Sequence, residues 1–271
     1  MSFKIGFGTE HSSWKTREDT YVEPQVQPEA RRSVVQVSFA GRGMSLAYYN
    51  DMFDLKRGDM VYVDGKLEGQ LGTVTDVNYN FKIRLSDYKR VIAVVDRTVH
   101  GRFFAAGSHF VTFDRAALPA AKTASWFISP LRNDDEYVCG TDDTSFGLNN
   151  LSGINVSAAI AERGNRYYLE NKVRYICLDG TKGYAIVTGG ENYEVEFSYK
   201  NGEISGLVCS CYCSYNCKHE VAAMLQLKEI LDTIDSKYTD EYNKTGYFAA
   251  VDKGTLFSFA VDGSDTGSIV L

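Results

Sequence analysis

Among its 271 residues the chain has only 4 prolines and 4 histidines, and no run approaches the roughly 20 apolar residues of a membrane-spanning helix. The first residues, MSFKIGFGTE, carry neither a basic start nor an apolar core, so no secretory signal is expected. Also missing are a GxxxxGK loop followed by Ser or Thr and a strand-to-helix GxGxxG, which leaves nucleotide hydrolysis and dinucleotide binding without support. The GRG at 41–43 is too short to count, and no long repeat or low-complexity tract interrupts the chain. Hydrophobic residues reach 44% and charged residues 24%, which argues against disorder over most of the length. The expectation is a soluble, cytoplasmic protein with no membrane partner.

Charge is divided unevenly. Residues 1–130 hold 17 Lys and Arg against 14 Asp and Glu, net +3, whereas residues 131–271 are net -9. A nucleic-acid surface would therefore fall on the N-terminal half or on a local patch.

The pattern of apolar residues predicts a mainly β fold with a few helices, an α+β class. Residues 1–32 are polar, contain Pro24 and Pro28, and read as an arm. Residues 33–115 alternate in short runs at 34–39, 58–85, 91–96 and 109–114, as a small barrel would. Tyr79, Phe81, Ile83 and Leu85 alternate as one more strand, while 44–55 suits a short helix or a strand with a turn. Residues 116–150 read as linker and loops. From 151 to 271 a helix is expected over 154–164 with Gly164 as its stop, then a meander of strands at 172–179, 182–189, 192–199 and 203–210. A second helix over 218–234 would bury a stripe of Val221, Leu225 or Met224, Lys228 and Leu231, and strands return in the tail.

Four of the six cysteines stand at 209, 211, 213 and 217, with His219 two residues on. Such clustering is unlike a disulfide framework and points to a metal site. Two thiolates one residue apart can grip an ion from a turn leaving a strand, and a Cys-x-His pair at the next helix can close a tetrahedron. Zinc suits three thiolates and one imidazole.

The order strand, CSC, CKH and AAML helix resembles the SWIM zinc finger over roughly residues 160–232. The resemblance assigns Cys209 and Cys211 to the first ligand pair and Cys217 and His219 to the second. It implies zinc binding, with roles in binding DNA or other proteins and no catalysis. Cys211 and Cys213 form a second Cys-x-Cys, so Cys213 can replace Cys209 in the pattern. A gap of five residues leaves more room to turn around an ion than a gap of three.

LKRGDMVYVDGKLEGQLGTVTDV, residues 55–77, resembles the KOW-type motif of SH3-like barrels, whose members bind RNA, DNA or proteins. Lys56, Arg57, Lys66, Lys82, Arg84, Lys89 and Arg90, interleaved with Tyr62, Tyr79, Phe81 and Tyr88, are the candidate nucleic-acid contacts. The bland alternative is a solvated face over a β core. No catalytic residue is assigned: Cys139 with His109 is a conceivable nucleophile and base, but the sequence does not bring them together. Asp134-Asp135 and Asp142-Asp143 suit solvated turns, and Cys177 suits packing. The resulting expectation is a non-enzymatic, zinc-binding nucleic-acid adapter, or else a protein-interaction module whose zinc site is structural.

Overall fold

The computed structural model describes residues 4–6, 30–130, 140, 144–211, 213, 215–264 and 266–271. After a short strand, β1 (Lys4–Gly6), come five strands of one sheet: β2 (Ser33–Phe39), β3 (Ser45–Asn50), β4 (Met60–Val63), β5 (Gly72–Asn78) and β6 (Val91–Val94). They pair antiparallel in the order β3-β2-β5-β4-β6. Val35, Val37, Phe39, Val61, Val63 and Val74 share one buried core with Leu55, Leu67 and Val91. The edges meet where the Tyr49 N–H donates to the Lys89 carbonyl at 2.8 Å, which closes the sheet on itself. Gly72 in β5 leaves room for side chains of β2, since a Cβ there would lie 2.4 Å from Val37 Cγ1. The ambiguous 44–55 segment is strand and turn: Asn50 Nδ2 donates to the Phe53 carbonyl at 2.7 Å, and its Oδ1 accepts from the Phe53 N–H at 3.1 Å.

Two expectations for this region change. Residues 79–84 form no strand, and Leu85–Asp87 is a 3-10 turn. The Asn78 side chain accepts from the Asn80 N–H at 2.9 Å, which turns the chain out of β5 and leaves Leu85 exposed. The unit also ends near residue 96, earlier than the expected 115.

The second unit contains β1 and everything described from residue 97 on, except 128–130. Its elements are β7 (His100–Arg102), β8 (Phe104–Ala106), β9 (His109–Thr112), α1 (Ala120–Ala124), β10 (Ser145–Gly147) and α2 (Ala158–Leu169). Then follow β11 (Val173–Asp179), β12 (Lys182–Thr188), β13 (Asn192–Lys200), β14 (Glu203–Cys209) and α3 (Lys218–Lys237). The last elements are α4 (Thr239–Thr245), β15 (Tyr247–Asp252), α5 (Lys253–Leu256) and β16 (Ser268–Val270). An eight-stranded antiparallel sheet runs β10-β14-β13-β12-β11-β15-β9-β8, and β1, β16 and β7 make a small parallel sheet. The four-strand meander expected from the sequence is β11 to β14.

The expected linker is structural. The hydroxyls of Tyr175 and Tyr247 both donate to the Leu118 carbonyl, at 2.8 and 3.1 Å, and Leu118 and Trp126 are buried. The bulk of the expected arm, residues 7–29, lies outside the described residues, as do Asp134, Asp135, Cys139, Asp142 and Asp143.

Helix α3 packs on the sheet through Met224, Leu227, Ile230 and Ile234, which share a core with Ile176, Leu178, Val195 and Ile204. Full burial of each such side chain contributes about 2 kcal/mol. Of the stripe read in the sequence, Val221, Met224 and Leu231 are in this core, whereas Lys228 faces outward and pairs with Asp232 at 2.6 Å. Gly164 does not stop α2 but sits inside it, buried where a Cβ would meet Val221 Cβ at 2.5 Å, so it lets α2 lie close against the start of α3. Ser157 caps α2, its side chain accepting from the Ile160 N–H. Among the described residues no helix is long and apolar enough to cross a membrane.

Candidate metal centre

Strand β14 delivers Cys209 at its end, after a bulge. Glu196 pairs with Val208 but Ser198 pairs with Ser205, so β14 carries an extra residue there, with Gly206 at φ +57°. The bulge adds bend to the strand just before the cysteines. Cys217 is the N-cap residue of α3 and His219 lies in its first turn. The Cys217 N–H donates to Glu220 Oε2 at 2.7 Å, and the Glu220 N–H donates back to the Cys217 sulfur. The reciprocal cap fixes where the helix begins and therefore where Cys217 and His219 project.

Cys209, Cys211 and Cys217 Sγ and one imidazole nitrogen of His219 all lie within 4.8 Å of one another, a Cys3His set that can hold a metal ion. His219 Nδ1 is 3.7 Å from Cys209 Sγ and 3.6 Å from Cys217 Sγ. A tetrahedral ion with bonds of about 2.3 Å to sulfur and 2.0–2.1 Å to nitrogen sets sulfur-to-nitrogen edges of about 3.6 Å. The residues therefore fit such an ion. The cluster brings together the four residues assigned from the sequence. Cys213 stays outside it with its side chain exposed.

The electrostatics favour a thiolate at this place. A hydrogen bond from Cys209 holds the Cys217 thiol well below its usual value, against the effect of burial, with His219 and the Glu220 N–H adding to the shift. The proton so shared raises Cys209 in turn. Burial pushes the Glu220 carboxyl up to about 8, and the neighbouring Cys217 adds to this.

His219 is itself contacted by two aromatic rings. The Tyr193 ring stacks on it with centroids 4.2 Å apart and planes at 19°, and Tyr167 approaches tilted at 5.5 Å. Neither tyrosine, nor Glu220, was singled out from the sequence. Glu220 had a legible signal, the spacing Cys217-x-x-Glu220 of a capping box. Tyr193 had none, because only the pairing of β13 with β14 carries it to the site.

The other candidates separate. Lys56, Arg57, Lys66, Lys82, Arg84, Lys89 and Arg90 are all exposed in the first unit. Arg90 is engaged by Asp51 at 2.6 Å and lies 5.2 Å above the Tyr49 ring. The Lys89 stem covers Gly65. Tyr79 is exposed, with the Arg31 guanidinium 4.2 Å above its ring, and Phe81 and Tyr88 are half-buried. Tyr62 is 1% exposed and offers no stacking face, because the backbone of β4 is buried on both sides. His109 is fully buried, its ring nitrogens engaged by Ser108 Oγ at 2.9 Å and the Val173 carbonyl at 2.8 Å. Cys177 is buried in β11, as packing requires.

No family model matches the chain, and no solved structure matches it. Uncharacterized protein MJ1493 of Methanocaldococcus jannaschii is 29% identical over 99 residues, which cover 34% of this chain and 42% of that relative's length.

Proposed function

We propose that the chain is a cytoplasmic, zinc-binding, non-enzymatic adapter for DNA or RNA, and that its Cys3His centre is a SWIM-type finger. The 3.6–3.7 Å edges between His219 Nδ1 and two thiols support zinc as the ion, because they are the edges its tetrahedral shell sets. Four protein ligands leave no open position for a reactive water, so the metal's task is to hold the end of β14 against the start of α3. A reducing compartment keeps its thiols available.

The nucleic-acid reading rests on the excursion 78–90, which carries Lys82, Arg84 and Lys89, together with the Arg90 that Asp51 engages, and within it one acid, Asp87, beside the exposed ring of Tyr79. Cations around an aromatic face suit a phosphate backbone with unpaired bases. The test is fluorescence anisotropy of the zinc-loaded chain against single-stranded DNA, duplex DNA and RNA at low and physiological salt. Salt-sensitive binding that collapses in Lys66→Glu/Arg84→Glu is the expected result. Absence of binding at low salt rejects it.

A second reading, a protein-interaction module with a purely structural zinc, is favoured by the net charge of -9 on residues 131–271. It is distinguished by binding that ignores the charge reversal.

A further inference from the structure

Beside the metal centre a cleft of about 370 Å³ opens between the start of α2 and the residues that lead into α3. Ile160 and Arg163 of α2 line it on one side and Tyr215, Asn216 and Lys218 on the other, and Cys217 and His219 of the metal centre, with Cys213, line it as well. Tyr215 is 83% exposed, the most exposed large aromatic among the described residues, and nothing in the metal centre requires it to be there. Arg163 is exposed and Lys218 half-buried, with the Lys218 ammonium 5.0 Å above the Tyr167 ring. Among the described residues neither cation is in an ion pair with a carboxylate. Lys228, the next lysine of α3, does not join this pair. Lys228 lies ten residues on, about 15 Å along the helix, and is engaged by Asp232. The cation that does join Lys218 comes from α2, brought near by the close packing at Gly164.

We infer that this cleft is a second nucleic-acid contact, one that takes single-stranded nucleic acid: an unpaired base stacks on Tyr215 while Arg163 and Lys218 hold the flanking phosphates. The inference rests on the nucleic-acid reading given above and deepens it. An acidic half that would repel a duplex as a whole still offers two cations and an aromatic face in one place, a pairing that matches one strand and not a stacked double helix. The cleft's lining is mostly apolar, which suits the face of a base.

The experiment uses the full zinc-loaded chain with labelled oligothymidine of about 15 nucleotides, and a duplex of the same length. Zinc content and thermal melting of each variant establish that it is folded. Tyr215→Ala is expected to weaken single-strand binding about tenfold or more, with Tyr215→Phe restoring it, because the ring and not the hydroxyl stacks. Arg163→Ala/Lys218→Ala is expected to lower the slope of log affinity against log salt by about 1.4, two phosphates at about 0.7 each. If these folded variants bind with wild-type affinity and slope while Lys66→Glu/Arg84→Glu loses binding, the cleft proposal is overturned and the adapter reading stands. If the wild-type chain binds no nucleic acid at low salt, both are overturned.

Discussion

Cys217 Sγ and His219 Nδ1 lie 3.6 Å apart although one residue separates them, because the first supplies the cap of α3 and the second its first turn. The short link makes them one half of a metal grip, and Cys209 and Cys211 at the end of β14 make the other. On the zinc reading, losing either half would release the ion and with it the tie between strand and helix. Cys217→Ser is therefore expected to lose bound zinc and to lower the melting temperature sharply, and a chelator added to the wild type to reproduce the loss. Metal analysis and calorimetry check this. A variant that retains one zinc per chain at wild-type stability removes Cys217 from the ligand set.

The stack of Tyr193 on His219, 4.2 Å between centroids, fixes the plane in which the imidazole presents Nδ1 to the thiols. Groups that orient a ligand commonly change metal affinity about tenfold or more when removed. Tyr193→Ala is expected to weaken zinc by about that factor in a competition titration with a chromophoric chelator. Tyr193→Phe, which keeps the ring, should match the wild type. Equal affinity in all three proteins would show that the stack only fills space.

Much of this arrangement was legible in the sequence, and what was missed has a physical pattern. The strands β11 to β14 and the helix α3 were read from period alone, since their alternation or amphipathicity is set by a single nearby core. The clustering of cysteines with His219 was read from spacing, because metal chemistry constrains the chain over a few positions, and the four residues the resemblance assigned are the ones the fold brings together. Misreadings came where a long-range contact overrides a local signal. Gly164 reads as a helix stop until Val221 is known to need the space. Residues from 116 on read as a linker until Tyr175 and Tyr247 are seen donating to Leu118. Residues 109–112 read as barrel strand because a strand's period does not say which sheet it joins. They pair with β15, more than 130 residues on.

Gly164 itself gives a test of helix packing. In an ordinary exposed helix, Gly→Ala stabilises by about 1 kcal/mol. Here the added carbon would stand 2.5 Å from Val221 Cβ and 3.0 Å from the Lys218 carbonyl, so the helices must separate. Gly164→Ala is expected to destabilise in urea unfolding. The double variant Gly164→Ala/Val221→Gly should be less destabilised than the sum of the single changes, because removing both the β and γ carbons of Val221 makes room. Additive effects would mean that the close approach at this point carries no strain.

His109 sets a pH dependence separate from the metal. Burial lowers its pKa from the ordinary 6.5, against the opposing pull of the Val173 carbonyl, Asp252 and Glu229. The folded chain therefore keeps the ring neutral at a pH where the unfolded chain has taken up a proton. The stabilisation is complete above about pH 6.5 and is lost as pH falls below it, down to the folded value. Acid also weakens metal binding by a Cys3His set, but that loss is common to wild type and variant. His109→Gln keeps polar atoms within reach of Ser108 and Val173 and cannot titrate. Its melting temperature is expected to be lower than that of the wild type at pH 7.5 and to fall less between pH 7.5 and 5.5. Parallel curves would show that the buried imidazole is not the source of the acid sensitivity, and would leave the metal ligands to account for it.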